Sequence, residues 1–143
     1  MNKQQSGFTL LEIIVVITII AILAAYIAPK VAGRADDARI SKVKNDLQVL
    51  ESALELYRLD NFRYPTSDQG LQALVSNPGD SAPNWKAGGY IKKLRNDPWG
   101  NEYQYASPGR EDSDFEIFSY GADGQEGGTG SDADIGTWNV DSF

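Results

Sequence analysis

The chain predicts an α+β fold, a long amino-terminal helix packed on a small antiparallel β-sheet. Three observations carry that expectation. An apolar run opens the chain. A stripe of apolar residues at spacings of three and four follows it between Ile40 and Tyr57. Two later segments, 102–105 and 115–120, alternate with period two and are separated by a glycine-containing polar stretch. Helical periodicity followed by strand periodicity, without βαβ alternation, points to helix and sheet segregated in one layer each.

The apolar run, residues 13–29, holds seventeen residues without a charge, and Glu12 is the only ionised group back to Phe8. At about 1.5 Å per residue, residues 8–28 make a helix of roughly 30 Å, the thickness of a bilayer's hydrocarbon core. A cleaved secretory signal would have a shorter apolar region and no acid in it. A plain membrane anchor explains the length but leaves Glu12 in lipid at a cost of several kcal/mol on insertion scales, so the carboxylate needs a partner. Pro29 removes an amide donor and clashes with the preceding turn, which predicts a kink or a locally melted segment over 25–33.

From about Ala35 the helix is expected to resume, with Ile40, Val43, Leu47, Leu50, Leu54 and Tyr57 on one face. Lys42, Lys44, Asp46, Glu51, Glu55 and Arg58 lie between them. The stripe is that of a core-facing helix and too short for a self-standing coiled coil. The helix should stop between Asp60 and Pro65, since the residue before proline leaves helical space. Thr66 or Ser67 can cap a short helix carrying Leu71, Leu74 and Val75. Trp85, in a loop over 81–89, is expected to pin that loop to the core, and 96–101 reads as a turn. The stretch 109–114 suits the loop of a hairpin whose inward faces cover the helical stripe.

Composition limits the function classes. There are 20 acidic against 13 basic residues, a net charge of −7, and neither cysteine nor histidine among 143 residues. An acidic chain is a poor partner for nucleic acid. Disulfides, thiol chemistry and histidine-based catalysis or zinc binding are excluded. Carboxylates could still serve an anchored enzyme as acid and base, but nothing pairs them with a nucleophile, and no enzymatic activity is expected. The stretch 121–134 gathers Asp123, Glu126, Asp132 and Asp134 among glycines. Such an oxygen-only set suits calcium. It lacks the register of an EF-hand, and a solvated acidic loop explains the composition equally well.

Gly7-Phe8-Thr9-Leu10-Leu11-Glu12 opening an apolar run resembles the class III signal of type IV pilins and type II secretion pseudopilins. The resemblance continues through Tyr64-Pro65-Thr66-Ser67-Asp68-Gln69-Gly70 and Asp97-Pro98-Trp99-Gly100-Asn101. Ser119-Tyr120-Gly121-Ala122-Asp123-Gly124 and Asp132-Ala133-Asp134-Ile135-Gly136-Thr137-Trp138 complete it, and together these look like the major pseudopilins of type II secretion. It implies a type IV pilin-like fold, with residues 1–7 a leader, 8–29 a transmembrane helix and 30–143 a periplasmic domain. It also implies that a prepilin peptidase cuts after Gly7 and methylates the new amino terminus at Phe8. The Phe8 ammonium, of the next subunit or of the same chain, would then be the partner of Glu12.

The same resemblance implies a homo-oligomeric helical filament, a pseudopilus that grows in the periplasm and moves folded proteins toward the outer membrane. Minor pseudopilins and an inner-membrane assembly platform would be its further partners, and the inner membrane its home before assembly. A surface type IV pilin for adhesion or motility is the alternative; many of those close a carboxy-terminal loop with a disulfide, which this chain cannot form. The resemblance further implies a structural calcium in the loop 120–134, held by the Asp123, Asp132 and Asp134 side chains and the Tyr120 carbonyl, with Glu126 left out. Orientation divides the two kinds of inference. Lys30, Arg34, Arg39, Lys42 and Lys44 follow the apolar run and only Lys3 and the chain amine precede it, so the positive-inside rule alone would leave the body in the cytoplasm. The resemblance implies the periplasm.

Overall fold

The computed structural model describes residues 7–143, except for the side chain of Ala32. Most of the leader expected over residues 1–7 therefore lies outside the described residues. The chain forms two compact units, one up to Asp37 and one from Ala38 to Phe143.

Helix α1 runs from Leu10 to Asn61 and is helical through both units. The melted segment expected over 25–33 is not found, because Pro29 lies within unbroken helix. A proline deletes one backbone hydrogen bond and costs about 3 kcal/mol in a helix interior, and the alanine, isoleucine and leucine residues before it supply many more bonds than that one. In the first unit the large apolar side chains have no protein cover, with exposures from 46% at Ile13 to 80% at Leu10.

In the second unit α1 buries Val43, Leu47, Leu50, Ala53, Leu54 and Tyr57, with Ile40 half-buried at the edge. This is the predicted stripe. It packs with Leu71, Ala73, Leu74, Ala82, Tyr103, Ile117 and Ile135 in one core. α1 ends at Asn61, where Phe62 takes a left-handed φ of 62° and its amide donates to the Arg58 carbonyl (2.7 Å).

The expected short helix is a 3₁₀ turn, Leu71–Leu74, and its start differs from the expectation. Thr66 Oγ1 accepts from the Gln69 amide (3.3 Å). That bond closes the turn before the 3₁₀ helix, whose own first position is Gly70 with no side-chain cap. Trp85 does pin its loop, its indole N–H donating to the Ala73 carbonyl (2.7 Å) and its edge meeting the Tyr90 ring.

The sheet has three antiparallel strands in the order β1 (Gln104–Ala106), β2 (Glu116–Ser119) and β3 (Ile135–Gly136). Tyr105 pairs with Ile117, and Ser119 with Ile135. The two predicted strands are present but shorter, and β3, two residues long, has no period to announce it. β2 is buried on both faces rather than alternating. It is the central strand, and its outer face is covered by Arg110 and Trp138. Arg110 pairs with Glu116 (Nε to Oε2 3.1 Å) and lies 3.9 Å above the Trp138 ring, which meets Phe118 edge-on.

Candidate functional site

The amino-terminal end of α1 is built by Thr9 and Glu12. The Glu12 amide donates to Thr9 Oγ1 (3.2 Å), and the Thr9 amide faces Glu12 Oε2 at 3.5 Å. This is a capping box, in which two otherwise orphaned helix amides are satisfied reciprocally. Its signature, threonine followed three residues later by glutamate before an apolar run, stands in the sequence, although the reading above gives Glu12 no partner but the Phe8 ammonium. The carboxylate thus has a local partner in its own chain, at the end where the helix dipole favours an acid. Phe8 is exposed. With Gly7 attached its nitrogen is an amide, and an ammonium would exist there only after cleavage.

At the other end of the chain, the acidic loop leaves β2 at Tyr120, whose ring stacks edge-on against Phe118. Two glycines set its path. Gly121 (φ 68°) and Gly128 (φ 84°) both back onto the Asp132 carbonyl, where an added Cβ would come within 2.8 Å and 2.4 Å of its oxygen. No other residue type can bring the two limbs so close in that conformation. The Ala122 amide closes the loop by donating to the Ser131 carbonyl (2.9 Å).

The predicted ligand side chains are differently placed. Asp123 and Asp132 are exposed, and Asp123 Oδ1 accepts from the Gln125 amide (3.0 Å). Asp134 is half-buried, its Oδ2 accepting from the Gly127 amide (3.0 Å) while its Oδ1 is buried without a hydrogen-bond partner. Among the described residues, no three Asp or Glu side chains converge as a group able to hold an ion. What fits a hard cation is Asp134 itself, since a buried carboxylate oxygen lacking a donor is costly and the loop offers only oxygen ligands.

A second acid, read in the sequence as part of a turn and of a resemblance motif but not as a site residue, anchors this loop. Asp97 is buried, and its Oδ1 accepts from the amides of Trp99 (3.0 Å) and Asn101 (2.8 Å). Its Oδ2 accepts from the Ser119 hydroxyl (2.6 Å), whose oxygen in turn accepts from the Gly121 amide (3.1 Å). The Asn101 side-chain amide donates to the Gly121 carbonyl (3.0 Å). The turn 97–101 therefore holds the hinge of the acidic loop from both sides of Gly121. The turn composition signals a bend, but which carboxylate the fold buries depends on β2 arriving beside it.

Family models match along nearly the whole chain. Residues 2–28 match the family model described as the prokaryotic N-terminal methylation motif, and residues 30–138 match that of type II secretion system protein G. The chain is 51% identical over 142 residues to the type II secretion system core protein G of Vibrio cholerae, covering 99% of this chain and 97% of the relative. It is 52% identical over 140 residues to that of Pseudomonas aeruginosa, covering 96% and 98%. The crystal structure of the major pseudopilin from the type 2 secretion system of enterohaemorrhagic Escherichia coli is similar at a TM-score of 0.66 and 47% identity, covering 76% of this chain and 93% of that one. With a methylation motif on its apolar helix and the matched domain on the remainder, the chain belongs to the type II secretion system protein G family.

Proposed function

We propose that the chain is the major structural subunit of a type II secretion pseudopilus. One observation carries this reading within the family: the apolar half of α1 has no cover from its own chain. Apolar surface of that extent is stable in lipid or against other apolar helices, and not in water. A bilayer supplies the first environment. Copies of the chain supply the second, by stacking their amino-terminal helices in the centre of an open, head-to-tail fibre. The match of residues 30–138 to type II secretion protein G and the type II secretion relatives favour this over a surface pilus for adhesion, whereas the methylation motif and the apolar helix suit either.

In this reading a prepilin peptidase removes residues 1–7 and methylates Phe8. The Phe8 ammonium then pairs with a Glu12 carboxylate, and the pair selects the register between neighbours, because a charge among apolar helices is satisfied in one register and penalised in others. The body lies in the periplasm, the anchor waits in the inner membrane, and an assembly platform with minor pseudopilins starts and extends the fibre. Folded export substrates are moved by its growth. Mass spectrometry of the membrane-derived protein tests the first step, with a chain beginning at methylated Phe8 expected. Glu12→Leu is expected to leave cleavage and insertion intact and to abolish assembly and secretion. An unprocessed chain, or normal fibres from that variant, would overturn the scheme.

The acidic loop is proposed to hold a structural calcium, with the side chains of Asp123, Asp132 and Asp134 and the Tyr120 carbonyl as its ligands. The unpartnered Asp134 Oδ1 supports it. Bound calcium supplies the positive charge that the acidic loop otherwise lacks. The chain's own part is to hold the loop at Gly121 through Asp97, Ser119 and Asn101.

A further inference from the structure

The uncharged run carries two side chains with polar atoms, Thr18 and Tyr26. The Thr18 hydroxyl is satisfied within the helix, donating to the Ile14 carbonyl (2.7 Å). Tyr26 is 65% exposed and points its polar end along the helix to Lys30, whose ammonium donates to the Tyr26 hydroxyl (3.0 Å) and sits 4.5 Å from the centre of its ring. Lys30 is the first charge after Glu12. We propose that Tyr26 and Lys30 form a clamp that binds phospholipid headgroup phosphates at the far face of the bilayer and so sets how deep the helix sits.

The inference rests on the membrane-anchored state described above and adds what holds its depth. Lys30 stands eighteen positions after Glu12, about 27 Å of helix, against roughly 30 Å of hydrocarbon. With the Thr9–Glu12 cap in one headgroup layer, the Lys30 ammonium reaches the other. A lysine near the end of a span extends its charge toward the interface while its methylenes stay in the apolar layer. A tyrosine ring suits the same level, apolar in body and polar at its tip. One ammonium proton goes to the Tyr26 hydroxyl, and the two others remain for phosphate oxygens. The ring face partly offsets the loss of water around the cation. Together they form a two-part anchor whose partner is a phosphate layer rather than a protein.

Because the chain has no cysteine, a spin label on an Ile19→Cys background reports depth without interference. The full chain is reconstituted in phosphatidylethanolamine and phosphatidylglycerol vesicles, and label depth is read from its relative accessibility to oxygen and to a nickel chelate. Lys30→Gln is expected to move the label by about 6 Å, the rise of four helical residues, toward the Glu12 side as Arg34 takes over the boundary. Tyr26→Leu should shift it in the same sense by less, and Lys30→Arg should keep the original depth. Equal depth in the parent, Lys30→Gln and Tyr26→Leu proteins would overturn the clamp while leaving the anchor intact. A chain that does not float with the vesicles would overturn both.

Discussion

Glu12 has one role in the structure and a second in the proposed fibre, and different substitutions separate them. As the third residue of a capping box it accepts from the Thr9 amide, a role that glutamine can fill. In the proposed fibre it would be a charge among apolar helices, which glutamine does not supply. Glu12→Gln is therefore expected to keep the start of α1 and still fail to assemble, as judged by fibre yield beside circular dichroism of the membrane-reconstituted protein. Asp97 is the other acid whose neighbours decide its worth. Asp97→Ala removes the acceptor of two amides and the Ser119 hydroxyl and should cost on the order of 3 kcal/mol in urea unfolding. Asp97→Asn, which can accept from the amides and donate to Ser119, should cost less. Two phenols give the domain an alkaline limit. Burial first, and then the bond to Asp46, raise Tyr103 well above its ordinary range, and burial pushes Tyr105 up to about 12. The folded chain keeps these protons where the unfolded chain, with tyrosine near 10, releases them. Their contribution to stability is thus full below about pH 10 and falls as the pH rises above it, that of Tyr105 being lost by about pH 12 and that of Tyr103 at higher pH still. Alkaline unfolding should flatten over that window in Tyr103→Phe, as followed by far-ultraviolet circular dichroism.

At the scale of elements, α1 is one helix with two environments. In its second half the stripe facing the core is distinct from the face carrying Val49, Leu56 and Leu59, which stays exposed. Leu54→Ala should cost about 2–5 kcal/mol by leaving a cavity in the core that Leu54 shares with Tyr57 and Ile117. Leu59→Ala on the open face should change unfolding by less than about 0.5 kcal/mol; equal losses would contradict the assignment of faces. The acidic loop is an element of a different kind, held by backbone contacts on Asp132 and by the Asp97 turn rather than by apolar burial. If calcium completes it, chelation should lower the melting temperature and open 121–134 to proteolysis, with the cleavage mapped by mass spectrometry. An unchanged melting curve on removing bound calcium, or failure to bind calcium at all, would count against that ligand set.

For the whole molecule, each unit contributes what the other cannot. The first unit, up to Asp37, offers apolar surface that the chain itself leaves exposed. The second, from Ala38, carries its own hydrophobic core. Periodicity makes much of this legible in the sequence. Helical spacing marks the buried face from Val43 to Tyr57 because a helix repeats its contacts every three to four residues. The strands are harder to read. β2 looks amphipathic in sequence, yet Arg110 and Trp138 fold over its second face. Arg110 stands six residues before Glu116 and Trp138 nineteen after Ser119, both beyond any local period.

The order of residues along the chain by itself determined the apolar anchor, the capping signature at Thr9 and Glu12, the core-facing stripe of α1, and the family, because each is written in neighbouring positions or at a fixed helical period. Only the tertiary structure decided that α1 continues through Pro29, that β3 completes the sheet, that Asp97 is buried against Ser119, and that one oxygen of Asp134 is left without a donor. These depend on segments distant in sequence arriving at the same place, or on a long helix outweighing one missing hydrogen bond, and no local pattern encodes either.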